Sequence, residues 1–290
     1  MKFANNNWEM EREKTIKDKL VFEGVGIHTG ERSKIILHPE EEGRGITFIK
    51  DGEKIPALYK YVVNTNHSTD LGKNGKVVKT VEHLMASLHL LGITNLSVEV
   101  FGEEIPILDG SGYGFYAELS KNIAEQSSYV EYFTVNAKAC VSNNGSYIVA
   151  KPCSCLEITY EGEFRNFLGK QKYTFRGENP EEIILARTFC FDWEIETLRS
   201  LGLGKGGSLE NTLVLGKDRI YNPGGMRYEE EPVRHKVLDL VGDLYLLGKP
   251  VKGKFYSYKG GHTLNYKLVL HLALGSSQSC KIKEEALTKS

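Results

Sequence analysis

Short apolar runs at residues 20–28, 33–38 and 46–49, separated by glycine-rich turns, predict strands, and Asp51-Gly52 marks a hairpin turn. From Thr80 the period becomes helical: Val81, Leu84, Met85, Leu88 and Leu91 share one face, and Gly92 stops the helix. A strand at 96–101, a turn-rich loop at 103–114 and a second helix at 115–124 follow. The chain then turns polar around 125–131, which predicts a domain boundary. The second half repeats the plan, with strands near 132–141, 146–151 and 156–160 and a helix from Val233 to Gly248. That helix ends Leu246-Leu247-Gly248 as the first ends Leu90-Leu91-Gly92, and each runs on into a strand, a glycine-rich turn and another helix. Aligning the two glycines puts His83 and Asp239 at one position, each nine residues before its glycine. Two metal-ligand chemistries at equivalent places fit two domains facing each other across a shared site.

Length agrees with two domains, since 290 residues exceed what one core of ordinary size needs. A hydrophobic fraction of 40% beside 26% charged residues excludes wholesale disorder. Thirty-seven basic against thirty-eight acidic residues leave a net charge of -1, so no global positive field exists to hold nucleic acid. No apolar run reaches the roughly 20 residues of a membrane span, and the start is polar, so a cytoplasmic protein without an integral membrane segment is expected. The five cysteines, Cys140, Cys153, Cys155, Cys190 and Cys280, lack paired zinc-ribbon spacing and read as thiols that pack; Cys153-x-Cys155 has no second pair with which to hold a metal.

His235-x-x-x-Asp239 places an imidazole and a carboxylate one helical turn apart on one face, and Asp243 extends the stripe. On a surface this pattern is usually a solvated or ion-paired face. Here Val237, Leu238, Leu240, Val241 and Leu244 make the helix apolar, so the stripe needs partners. Glu82-His83 lies on the equivalent helix, where adjacent side chains point about 100° apart, so His83 can coordinate while Glu82 reaches a bound water. No His-Glu-x-x-His occurs, which removes the common zinc-peptidase signature and leaves an open two-histidine, one-aspartate set. His262, after Gly260-Gly261, is expected in a loop that leads into a helix, within reach of a ligand or of backbone. His67 belongs to a polar run, residues 64–70, too rich in hydrogen-bonding groups for a plain linker, whereas His28, His38, His89 and His271 read as structural or solvated.

The strings Val25-Gly-Ile-His28-Thr-Gly30, Thr65-Asn-His67-Ser-Thr69, Thr80-Val-Glu82-His83, Ile107-Leu-Asp-Gly-Ser111, Ala186-Arg-Thr188-Phe189, Arg234-His235-Lys236-x-x-Asp239 and Gly260-Gly-His262, in that order, resemble the UDP-3-O-acyl-N-acetylglucosamine deacetylases, the zinc amidases of lipid A biosynthesis. The resemblance runs from about residue 14 to 272. It implies one zinc per chain on His83, His235 and Asp239, with Glu82 as general base and His262 as general acid. Asp243 would orient that histidine, and Thr188 would help hold the oxyanion. Lys236 and Lys259 match basic positions that contact a UDP-linked acylated sugar, and His67 matches a polar site position. The implied fold is α+β: two similar domains, each a sheet with two helices, the helices sandwiched between the sheets, and a βαβ insert in the second domain that channels the acyl chain.

The matching insert is residues 189–214, where Phe189, Ile195, Leu198, Leu201 and Val214 would form the channel wall. Many members carry a cysteine in the Leu-x-x-Gly-Gly-Ser part of this insert, where this chain has Leu203-Gly204-Lys205-Gly206-Gly207-Ser208, which bears on channel width. The expected organisation is a polar extension (1–13), a first domain (14–126), a second domain (127–275) and a polar tail (276–290), in a monomer. The expected reaction is hydrolysis of the N-acetyl amide to acetate and a free amine. A non-catalytic UDP-sugar-binding protein is the alternative, separated by a zinc assay, and a peptidase using the same metal is disfavoured by the missing motif and by the insert.

Overall fold

The computed structural model describes residues 11–275, so most of the expected extension and all of the tail lie outside the described residues. Among the described residues six α-helices occur in chain order: α1 (Glu82–Leu91), α2 (Tyr113–Lys121), α3 (Glu181–Ile184), α4 (Ile195–Ser200), α5 (Glu231–Leu244) and α6 (His262–Leu274). The repeat legible in the sequence is realised in the sheets. In the first half the spatial order is Leu20–Val25, Arg32–Pro39, Leu96–Phe101, Ile46–Lys50, Glu53–Pro56; in the second it is Ala139–Asn143, Ser146–Lys151, Val251–Tyr258, Leu156–Glu163, Lys170–Phe175. In each, the central strand is the one that follows the long helix. It runs antiparallel to one neighbour and parallel to the other, as Ile35↔Val100 and Phe48↔Val98 show in the first sheet and Val149↔Tyr256 and Ile158↔Phe255 in the second.

Alternation along these strands sends one face inward, as with Ile35 and Leu37, and the inward faces meet the helices. Helix α1 packs on α2 and α5, and α5 packs on α6 and on strands of the second sheet, giving a two-domain α+β fold with one continuous buried core. A helix in such a layer is covered all round. Accordingly α1 buries Glu82, His83, Ser87 and His89 together with its apolar face. Gly92 and Gly248 close the two long helical segments in the left-handed region, with φ of 67° and 82°.

Several boundaries differ from expectation. The polar stretch at the expected domain boundary contains a strand, Ile123–Tyr129, paired antiparallel with Arg12–Ile16; residues 12 and 13 thus belong to a strand and not to an extension. Its polarity hid it, because this surface ribbon is held partly by Lys14 opposite Glu125 and by Arg12 over the Tyr129 ring. Helix α1 begins at Glu82 because Thr80 sits at φ 58°, outside helical space. The strand expected at 132–141 is broken into Phe133–Thr134 and Ala139–Asn143. The insert is βαβ as expected: Phe189–Phe191 pairs in parallel with Leu213–Leu215 across α4. Cys140 is disulfide-bonded, against the expectation of five thiols, while Cys153, Cys155 and Cys190 are free. Among the described residues, no helix is long and apolar enough to cross a membrane.

Candidate active site

The crossing of α1 over α5 creates the site. Gly242 passes directly under the Glu82 carbonyl, where any Cβ would collide with it, so the two helices meet at backbone contact. One and two turns before Gly242, this proximity brings Asp239 and His235 of α5 to His83 of α1. His83 Nε2 lies 3.6 Å and His235 Nε2 3.3 Å from Asp239 Oδ1, and the two imidazole rings stand nearly perpendicular, 5.0 Å apart. All three residues are buried, with ligand atoms within 4.8 Å of one another. His235 Nδ1 donates to the Ala186 carbonyl at 3.0 Å, which fixes the tautomer that leaves Nε2 with a lone pair. Lys236 Nζ donates to Asp239 Oδ2 at 2.9 Å, whereas Asp239 Oδ1, buried between the imidazoles, has no hydrogen-bond partner.

That orphaned oxygen is the structural test of a metal site. A buried acceptor without a partner is costly, and a cation within reach of Oδ1 and both Nε2 atoms would satisfy it. The electrostatics agree. Burial drives His235 down to about 3, so it stays neutral, and Asp239 is held well below the usual carboxylate range by its cationic surroundings in spite of its burial. A neutral imidazole beside an ionised carboxylate is the state a cation requires.

Glu82 and His262 flank this cluster. Glu82 Oε2 accepts from the Thr69 backbone N–H at 3.1 Å, and Oε1 lies 3.7 Å from His262 Nε2. Burial pushes Glu82 up to about 7, opposed by the neighbouring His262. His262 is the first residue of α6 and not a loop residue; its Nδ1 donates to Asp243 Oδ2 at 2.9 Å. Burial opposes charge on this imidazole, but Asp243, Asp239 and Glu82 together raise it to about 9. Asp243 is itself held by Thr69 Oγ1 at 2.6 Å and Asn265 Nδ2 at 2.8 Å.

A cavity of about 160 Å³ joins Glu82, His83, His235, Asp239 and His262 to Thr188, Phe189, Lys236, His67 and His28. It opens towards an apolar cavity of about 400 Å³ in the insert through the shared residues Cys190, Leu198 and Thr212, and Ile195 and Val214 line the apolar part. Leu201, expected in the same wall, is 63% exposed and lines neither cavity, because α4 ends at Ser200 and the next residue turns outward. A third cavity, of about 360 Å³, adjoins His67, Lys236 and His262 and reaches Lys259, whose Nζ pairs with Glu163 at 2.6 Å. His67 and Lys259 both sit at positive φ, 66° and 51°.

Sequence reasoning missed three residues here. Thr69 lay inside the polar run already singled out, and Asn265 stands three residues after His262, one helical turn along α6. His28, read as structural or solvated, lines the site with an unpartnered Nδ1; its loop is fixed by Glu104, which accepts from the His28 and Thr29 backbones and from Thr80 Oγ1.

Helices held between two sheets, with a buried two-histidine, one-aspartate cluster beside a glutamate–histidine pair, match the class of metal-dependent hydrolases. The family model for LpxC, UDP-3-O-acyl N-acetylglycosamine deacetylase, matches residues 13–273, and the chain belongs to that family. Proteins named UDP-3-O-acyl-N-acetylglucosamine deacetylase are similar to it along most of their length. The one from Aquifex aeolicus (strain VF5) is 65% identical over 90% of this chain and 93% of its own. Those from Myxococcus xanthus (strain DK1622) and Campylobacter fetus subsp. fetus (strain 82-40) are 40% and 37% identical, over 89% and 90% of this chain and 85% and 91% of theirs.

Proposed function

We propose that this chain hydrolyses the N-acetyl amide of UDP-3-O-acyl-N-acetylglucosamine, releasing acetate and the free amine at the committed step of lipid A biosynthesis, with one zinc ion on His83, His235 and Asp239. The observation that carries the reading is the orphaned Asp239 Oδ1 between two imidazole nitrogens, with Glu82 and His262 alongside. Three protein ligands leave a coordination position open, as hydrolytic zinc sites do. The chemistry a bound zinc supplies is polarisation of the amide carbonyl and a water acidified to a pKa of about 7.

The side chains do the rest. Glu82, raised to about 7, is poised to take the proton of the attacking water. His262, cationic through Asp243, gives a proton to the departing nitrogen, which leaves poorly as an amide anion. Thr188 lines the cavity, and its hydroxyl would help hold the negative charge that develops on oxygen. Lys236 and Lys259 border the two polar cavities and suit the diphosphate, and the apolar cavity of the insert suits the acyl chain. The two domains are proposed to divide near residue 126, each giving groups to the site.

The test is acetate release from UDP-3-O-acyl-N-acetylglucosamine by the purified protein, with and without a chelator, beside a measurement of bound zinc. Stoichiometric zinc and chelator-sensitive release support the reading; protein without zinc, indifferent to chelation, would refute it.

A further inference from the structure

One buried ion pair takes no part in the chemistry above. Glu231, fully buried, accepts from Arg187 Nε at 2.8 Å, from Arg187 Nη2 at 3.0 Å, from the Arg187 backbone N–H at 3.0 Å and from the Arg227 backbone N–H at 2.6 Å. Arg187 Nη2 also donates to the Gly225 carbonyl at 2.7 Å. Glu231 opens α5 and stands one helical turn before His235. The backbone it grips touches the site on both sides of Arg187. Ala186 supplies the carbonyl that accepts from His235 Nδ1, and Thr188 lines the reaction cavity. Beyond these, Thr188 N–H donates to the Gly110 carbonyl at 2.7 Å, and Arg227 Nη1 ties the Leu185 carbonyl at 3.0 Å to Asp109 at 2.7 Å.

A buried ion pair is a poor device for stability, since apolar residues of similar volume usually serve as well. Its distinctive property is direction: a planar guanidinium fork meeting a carboxylate fixes the orientation of both groups. Here the same carboxylate also takes the backbone N–H of the residue between Ala186 and Thr188. We infer that Glu231 and Arg187 are positioning residues that set the Ala186 carbonyl, and through it the His235 imidazole, and that hold Thr188 towards the cavity. The inference rests on the metal site proposed above and adds the pair that aims one of its ligands.

The test compares three variants with the wild type: Arg187→Lys, which keeps the charge and loses the fork; Glu231→Gln, which keeps the shape and loses the charge; and the double variant Arg187→Met/Glu231→Leu, which removes both charges together. Zinc affinity is read by chelator competition, kcat and KM separately by acetate release, Tm by thermal unfolding, and the His235 Nδ1–H by proton NMR of the metal-free protein. Zinc affinity should weaken by about 10- to 100-fold and kcat should fall more than KM changes. In the double variant Tm should fall as well, because the backbone N–H groups of Arg187 and Arg227 lose their acceptor, so the discriminating readout is the Nδ1–H resonance, which should shift or vanish in the folded, metal-free protein. Zinc affinity within about twofold of wild type and an unmoved resonance, whatever happens to Tm, would overturn the inference and leave a structural ion pair. Should the single variants fail to fold, the double variant decides alone. Wild-type protein that binds no zinc would sink the proposed function, while the imidazole resonance of the metal-free variants would still judge this inference.

Discussion

His89, which is not one of the proposed metal ligands, makes the stability of this protein depend on pH. Its ring is stacked on Tyr245 at 4.6 Å, Nδ1 donates to the Val241 carbonyl at 3.0 Å, and Nε2 accepts from the Val251 backbone N–H at 3.1 Å. A first-half helix is thereby latched to the end of α5 and to the central strand of the second sheet. The neutral tautomer alone satisfies both bonds, because a proton on Nε2 would face an N–H. Burial accordingly drives His89 from its ordinary 6.5 down to about 4. A depressed folded-state value means that stability is complete above the unfolded value and is lost as pH falls from 6.5 towards 4. The full loss is about 3 kcal/mol, of which about 2 kcal/mol falls between about pH 7.5 and pH 5. His89→Gln keeps one donor and one acceptor and cannot titrate in that range. Urea unfolding of chelated wild type and variant at both pH values gives the difference directly, with other groups cancelling. The wild type should lose about 2 kcal/mol more than the variant on acidification. Equal losses would show that the Nε2 contact does not govern the protonation of His89.

The remaining predictions concern the site. His83→Ala and Asp239→Ala should each reduce bound zinc, measured by metal analysis after dialysis, because each removes one of three ligands from an open site; full occupancy in both would remove the ligand assignment. Glu82→Gln should keep its zinc and lose on the order of a hundredfold or more in kcat. The kcat/KM profile should be bell-shaped, with Glu82 setting the acidic limb and His262 the basic one, a bound dication drawing both down; Asp243→Asn, which removes a carboxylate that raises His262, should move the basic limb to lower pH, and an unmoved limb would reassign the acid. Leu198→Glu, placed where the two cavities join, should raise KM most for long acyl chains, each buried methylene being worth about 0.8 kcal/mol; an equal effect on a chain-free analogue would refute the channel.

The sequence carried the repeat because its markers are backbone punctuation: Gly92 and Gly248 end equivalent helices, and counting back from them finds His83 and Asp239, which the structure brings within 3.6 Å. It also carried the polar stripe of α5, since buried polar residues on an apolar helix must find partners. The strand at Ile123–Tyr129 escaped because its partner lies more than a hundred residues earlier and its cross-strand contacts are charged and aromatic, which no local apolar period reports. Thr69 and the Arg187–Glu231 pair escaped for a similar reason: their roles reside in the direction of hydrogen bonds between distant segments. Leu201 shows the converse error, a helical spacing extended one residue past the helix.

The meeting of α1 and α5 over Gly242 has a mechanical corollary. In the proposed site one ligand comes from the first half of the chain and two from the second, so a metal bound there would crosslink halves that packing and hydrogen bonds already join. Separating the halves would have to release the ion, and losing the ion would remove a tether at the point where the helices touch. The two halves should therefore melt as one cooperative unit when loaded, and a variant that widens the approach at Gly242 would be felt as weaker metal binding before any ligand is altered.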